Sequence, residues 1–219
     1  MAGQSLLYHQ IITDLLRPSS RGLTLSISPE HGLTVQGIHK ERITNELSLR
    51  QTLVDACDNR ACHTLPPGGS IDTSSAVWEV TLVQKEGDGD VVLYNRSRLI
   101  IVDIPAVNAL CAGDAQAKLF ESPTLHKSLF TFADCAKKLA SSTQCTLAPF
   151  RSSKLTHYFS ELLGGNAVVL ALGILHPGEA NVTRKVLEIL SNLTHARYTH
   201  MYCVNIWREF ILDLTDCVI

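Results

Sequence analysis

Two short apolar runs limit what this chain can fold into. LIIVDI at residues 99–104 and AVVLALGIL at 167–175 carry no charge until their ends. Apolar runs of this length, bounded by turn residues, read as strands buried on both faces at the centre of an α/β fold. Each leads toward a segment of helical periodicity. Residues 124–141 place Leu125, Leu129, Phe132, Ala136 and Leu139 on one stripe, and residues 179–197 place Val182, Val186, Ile189, Leu190 and Leu193 on one side. Strand-like and helix-like segments alternate through the remainder, which predicts an α/β layered fold.

The other elements follow from local signals. Residues 6–16 read as a strand leading into a DLL turn, and 23–28 with 33–38 as a hairpin across 29–32. Thr44 and Asn45 can cap a helix at 46–58, with Leu47, Val54 and Cys57 near one face. The stretch LPPGGSIDT at 65–73 is a long loop whose Pro and Gly oppose regular structure. A strand at 76–84 turns at Gly87-Asp88-Gly89 and returns over 91–104. A second helix at 152–163 stops at Gly164 and Gly165. Residues 205–219 are apolar and ambiguous, and no internal repeat or low-complexity tract occurs.

Composition narrows the partners. A formal net charge of −2 gives no global attraction to nucleic acid or anionic membrane, so a polyanionic partner must be met by a local basic patch. No apolar stretch reaches the roughly 18 residues of a membrane span, and residues 1–7 lack the basic start of a secretory signal. Without secretion, the sequons at Asn95, Asn181 and Asn192 carry no meaning. Seven scattered cysteines without a CxxC pair fit free thiols in a reducing compartment. No metal site is expected: Cys57, Cys62 and His63 have the wrong spacing for a zinc knuckle, and His195 and His200 lie five apart rather than four. GxSxG, GxGxxG and HExxH are absent. Trp78 and Trp207 read as core or interface aromatics, and His9 as a packed or capping side chain.

The longest specific motif is APFRSSKLTHYFSELLGGN at 148–166, which resembles the V-P-Y-R-D-S-K-L-T-x-x-L-x-x-x-L-G-G-N segment of kinesin motor domains. Its neighbours occur in the family's order. LHKSLFTFADCAKKLA at 125–140 is similar to I-N-K-S-L-x-A-L-G-x-x-I-x-A-L-A, and YHQIITDLL at 8–16 to Y-N-E-x-I-x-D-L-L. LIIVDIPAVN at 99–108 sits where the family has L-x-x-V-D-L-A-G-S-E, and VLEILSNLTHAR at 186–197 resembles the helix that follows. The resemblance implies a partial kinesin motor-type three-layer core over residues 5–198, with a divergent tail at 199–219. That core is a central mixed sheet with helices on both faces, lacking the N-terminal strands and the phosphate loop. It also implies a cytoplasmic, cytoskeletal protein whose partner is the microtubule.

Two departures bear on ATP, the family's substrate. No G-x-x-x-x-G-K-[ST] string occurs, and its backbone N–H groups, lysine and hydroxyl are what grip phosphates and Mg²⁺. ATP and Mg²⁺ would therefore need a phosphate loop supplied from upstream. The family's switches are also altered. Counted without gaps from Asn59-Arg60, S-S-R-S-H falls on Ile71, Asp72, Thr73, Ser74 and Ser75; if Ser74-Ser75 instead match its opening serines, Ala76 takes the arginine's place. D-L-A-G-S-E falls on Asp103, Ile104, Pro105, Ala106, Val107 and Asn108. The arginine and glutamate of the closing ion pair thus become Thr73 and Asn108, and the glycine that meets the γ-phosphate becomes Ala106. Removing one member of a buried pair costs on the order of 3–5 kcal/mol, whereas removing both is mild. The double loss fits a chain that still folds but does not turn over ATP.

By the same resemblance, the tubulin-facing set is Lys127, Lys137, Lys138, Arg151, Lys154 and His157. Ordinary solvated charges would look the same, so a scaffold that has lost tubulin, or a truncated form of a working motor, stands beside the microtubule reading. In the family a strand before the phosphate loop lies between those matching residues 99–104 and 167–175. Without it, these two strands pair directly, expose apolar edges, gain cover from residues 205–219, or take cover from a partner kinesin or other chain.

Overall fold

A computed structural model describes residues 2–8, 11–28, 32–60, 62–65, 69–72, 74–86, 93–104, 123–141, 148–164, 167–175, 180–196 and 200–207. For residues 2–8, 62–65, 69–72, 86, 93, 123–126 and 200–207 only the backbone is described. The chain forms two compact units, Met1–Ile27 with Thr34–Pro105 and Ser28–Leu33 with Ala106–Ile219.

The first unit is built on a seven-stranded sheet. Strands β1 (Ala2–Tyr8), β2 (Ile11–Asp14), β3 (Arg21–Ser28), β4 (Gly32–Gln36), β8 (Ser75–Glu86) and β9 (Leu93–Asp103) lie in the order β4-β3-β2-β1-β8-β9, and β5 (Lys40–Glu41) also pairs with β1. The single strand expected at 6–16 is in fact two. Tyr8 faces Ile11, and β1 and β2 pair antiparallel. The turn after Asp14 is where the DLL signal placed it. Asp14 is fully buried and explains the turn: Oδ1 accepts the N–H groups of Leu16 (2.9 Å) and Arg17 (3.2 Å), and Oδ2 accepts that of His39 (2.6 Å). A short acid can satisfy donors two and three residues ahead and hold the chain in a tight bend.

Helix α1 (Glu46–Asp58) begins where its cap predicts. Asn45 Oδ1 accepts the Ser48 N–H at 2.8 Å, and Ser48 Oγ accepts the Asn45 N–H at 3.3 Å, a reciprocal capping box. Its expected apolar face is the wrong one. Leu47 (75% exposed), Val54 (53%) and Cys57 point to solvent, while Thr52 and Ala56 are buried. Ala56 packs with Leu15 and Ala76, and Asn59 Nδ2 donates to the Leu15 carbonyl at 2.9 Å. Small residues at that contact let the helix lie close to the sheet, so burial follows side-chain size more than apolar spacing.

The loop expected at 65–73 also differs. β6 (Cys62–Leu65) and β7 (Gly69–Asp72) pair antiparallel, with Leu65 facing Gly69. Gly69 opens β7, and residues 66–68 lie outside the described residues. β9 pairs only with β8 among the described residues, so it is an edge strand rather than the central one expected from LIIVDI. Leu99 is 60% and Ile101 54% exposed.

The second unit contains α2 (Pro123–Ser141), a 3-10 turn (Phe150–Ser152), α3 (Lys154–Leu162), β10 (Val168–Leu175), α4 (Ala180–Thr194) and β11 (His200–Trp207). β10 and β11 pair in parallel from Val168–His200 to Leu175–Trp207. α4 buries Val186, Ile189, Leu190 and Leu193, the stripe its periodicity predicts, each worth about 1.5–3 kcal/mol. Val186 and Leu190 pack with Leu175. Gly173 lies beneath this contact, where a Cβ would meet Val186 Cγ1 at 2.8 Å. β10 was expected to be buried on both faces, but Val168, Leu170, Leu172 and Ile174 are exposed and only the face under α4 is covered.

Candidate functional site

Ser153 organises the segment FRSSKLTHYF. Its Oγ accepts the Thr156 N–H at 3.1 Å and so caps α3. The Ser153 and Thr156 hydroxyls meet at 2.8 Å, and Thr156 Oγ1 donates to the Phe150 carbonyl at 2.7 Å. Thr156 is fully buried and Ser153 nearly so. This hydrogen-bonded chain closes the 3-10 turn against the first turn of α3. Phe150, Leu155, Tyr158 and Phe159 then point inward. Arg151 stays exposed, with Lys154 and His157 half-exposed. Much of the motif's specificity is thus folding chemistry that presents three basic side chains.

α2 supplies the other cations. Ser128, Leu129, Thr131, Cys135, Ala136 and Leu139 form its buried side. Phe132, half-buried, meets Phe159 of α3 with ring centroids 5.6 Å apart and planes tilted by 59°. Lys127, Lys137 and Lys138 are exposed on the opposite stripe, as their helical spacing requires. Two exposed residues on that stripe were not anticipated, Phe130 (51%) and Asp134. Asp134 precedes Lys137 and Lys138 by three and four residues, a spacing at which opposite charges offset one another on a helix. On α3, Glu161 follows His157 by one turn. The basic set is therefore interleaved with acids, which makes it a thin patch. All six residues expected to face a polyanion lie in the second unit, on α2, on the 3-10 turn or on α3.

Of the switch positions, Ile71, Asp72, Ser74, Ser75, Asp103 and Ile104 are described, and Thr73, Pro105, Ala106, Val107 and Asn108 lie outside the described residues. Asp103 ends β9 with one carboxylate oxygen 2.6 Å from Nη1 of Arg60. Arg60 follows α1, and its Nη2 donates to the Ser74 carbonyl at 2.8 Å. The Arg60 side chain is only 10% exposed, while that of Asp103 is 50% exposed. Arg60 thus ties the end of α1 to Ser74, just before β8, and to Asp103, the last residue of β9. The Asn59-Arg60 pair marked the alignment's anchor, but nothing local in the sequence linked Arg60 to Asp103. Asp103, the acid that the resemblance links to Mg²⁺, is paired with Arg60.

The kinesin motor domain family model matches residues 5–199. The chain is 26% identical over 176 residues to the kinesin-like protein KIN-8B of Arabidopsis thaliana, covering 79% of this chain and 21% of that protein. It is 29% identical over 182 residues to the kinesin-like protein KIN-7A of Oryza sativa subsp. japonica, covering 80% and 19%. With the chromosome-associated kinesin KIF4B of Homo sapiens it shares 24% over 193 residues, covering 87% and 15%. The chain therefore spans about a fifth or less of these relatives. Among solved structures it is similar to a KIF14 dimer in a two-heads-bound state with AMP-PNP in complex with a microtubule. There the TM-score is 0.73 at 22% identity, covering 97% of this chain and 62% of that one. With the motif order, the α/β architecture and the match over nearly the whole length in agreement, this chain belongs to the kinesin motor domain family.

Proposed function

We propose that this chain is a cytoskeletal, microtubule-binding member of its family that does not hydrolyse ATP. The observation that carries the proposal is the turn built by Ser153 and Thr156. It keeps Arg151 exposed beside Lys154 and His157, and α2 exposes Lys127, Lys137 and Lys138. A rigid basic surface of this kind suits the acidic face of tubulin. The absence of hydrolysis rests on Thr73, Ala106 and Asn108 at switch positions and on the Arg60–Asp103 pair. Residues 5–198 act as the motor-like domain and 199–219 as a divergent tail.

Microtubule co-sedimentation with and without ATP, at ionic strengths of about 0.01 and 0.15 M, tests this reading. Screening lengths of ~30 and ~8 Å separate those conditions. Pelleting that is indifferent to ATP and falls with salt is the expected result. No pelleting at low salt would leave a scaffold that has lost tubulin. Release by ATP, or microtubule-stimulated phosphate release, would restore the working-motor reading.

A further inference from the structure

The turn between β2 and β3 carries the sequence Arg17-Pro18-Ser19-Ser20-Arg21. The Ser20 N–H donates to the Arg17 carbonyl at 2.8 Å, which closes a β-turn with Pro18 and Ser19 at its central positions. Ser19 is exposed, and its hydroxyl makes no hydrogen bond among the described residues. Ser20 is half-buried, with its N–H bonded to Arg17 and its carbonyl to Asp14. Arg17 and Arg21 are exposed on either side. Arg21 bends back over the turn, its Nε 3.3 Å from the Pro18 carbonyl oxygen. Neither arginine forms an ion pair among the described residues. The acid nearest in sequence, Asp14, is buried with both oxygens bonded to backbone N–H groups, so it does not neutralise them. Two like charges on one short turn repel each other, and an anion between them removes that cost. Ser97 also lies between arginines, Arg96 and Arg98, but strand alternation turns those side chains to the opposite face and the ladder with Leu82 fixes the backbone.

We propose that Ser19 is a phosphorylation site for a protein kinase that reads basic flanks, and that Arg21 and Arg17 then clamp the phosphate. Ser19 Oγ attacks the γ-phosphorus of a nucleoside triphosphate bound to the kinase. The bond from that phosphorus to the β,γ-bridging oxygen breaks, the nucleoside diphosphate leaves with the electron pair, and the hydroxyl proton passes to a base of the kinase. Entry to a kinase cleft requires the turn to open. Opening breaks the bond between Ser20 and Arg17, which lowers the open population about tenfold, and leaves the Asp14 bonds to Leu16 and Arg17 in place. The product carries about −1.5 to −2 charges beside two guanidinium groups, which takes the turn from about +2 to near neutral. A guanidinium presents paired N–H donors that match phosphate oxygens, and Arg21 is already folded over the turn. No residue of the basic surface on α2 and α3 takes part.

The first measurement incubates the folded 219-residue chain with ATP, Mg²⁺ and a panel of serine/threonine kinases selective for arginine before the acceptor, and maps the product by peptide mass spectrometry. One phosphoryl group on Ser19 is expected. Ser19→Ala should abolish it, Ser20→Ala should leave it, and Arg17→Gln should slow it about tenfold. A chain left unmodified by the whole panel, or phosphate placed on Ser20 instead, would overturn the proposal. A chain with phosphoserine inserted at position 19 during translation tests the clamp whatever kinase is chosen. The second ionisation of that phosphate, at about pH 6 in free phosphoserine, should lie lower at low salt when followed by phosphorus NMR. Arg21→Gln, or added salt, should return it toward about 6. A titration at the free value that ignores Arg21→Gln would show an exposed serine without a receptor and would overturn the clamp.

Discussion

Thr156→Val changes one oxygen atom at the centre of the basic surface, leaving charge, side-chain shape and β-branching almost unaltered. In the native turn, Thr156 Oγ1 donates to the Phe150 carbonyl at 2.7 Å and lies 2.8 Å from Ser153 Oγ, at a site with no solvent access. Ser153 Oγ accepts the Thr156 N–H, so its own proton is directed to Thr156 Oγ1. The methyl of valine strands the Phe150 carbonyl and the Ser153 hydroxyl together. Each stranded buried polar group costs about 1–3 kcal/mol, so the loss is about 2–4 kcal/mol after partial relaxation. For a chain of this size, 1 kcal/mol shifts the melting temperature by roughly 2–4 °C, so the variant should melt roughly 5–15 °C lower. Circular dichroism melting measures that shift. Microtubule pelleting measured below the new transition should weaken as well, because the 3-10 turn that presents Arg151 loses its closure. A variant melting within about 1 °C of the native protein would refute the reasoning, because a buried three-group network cannot lose its middle member at no cost.

Other perturbations test separate parts of the structure. Asp14→Ala orphans the N–H groups of Leu16, Arg17 and His39, and should cost about 3–5 kcal/mol, read as a lower urea midpoint with faster exchange at those three amides. Gly173→Ala pushes a methyl into Val186 and Leu190 and should destabilise by about 1–3 kcal/mol, with Val186→Ala in the same chain recovering part of the loss. The Arg151→Glu, Lys154→Glu double variant should melt like the native protein but bind microtubules about tenfold more weakly, equivalent to ~1.4 kcal/mol, with a smaller salt dependence. Unchanged pelleting by that variant would remove the basic surface from the binding reading.

Local chemistry made much of this protein legible in its sequence. Thr44 and Asn45 marked the start of α1, the helix read at 152–163 is found at Lys154–Leu162, and the 3.6-residue spacing of Val186, Ile189, Leu190 and Leu193 defined the inner side of α4. Each depends on groups within about two helical turns, which any chain with that order of residues brings together. The outward side of Lys127, Lys137 and Lys138 followed from the same spacing.

Only the tertiary structure decided the rest. Periodicity placed Leu47 and Val54 on one stripe of α1, but the sheet is met through Ala56, whose small side chain permits close approach. LIIVDI and AVVLALGIL read as strands correctly, yet whether an apolar strand is central or at an edge depends on what pairs beside it, a fact no stretch of sequence contains. Likewise Arg60 and Asp103 are distant in the chain, and the ladder between β8 and β9 is what brings the acid within 2.6 Å of the guanidinium. Spacing along the chain determines which side chains share a face. Pairing between distant segments determines which face is covered and which charges are neutralised.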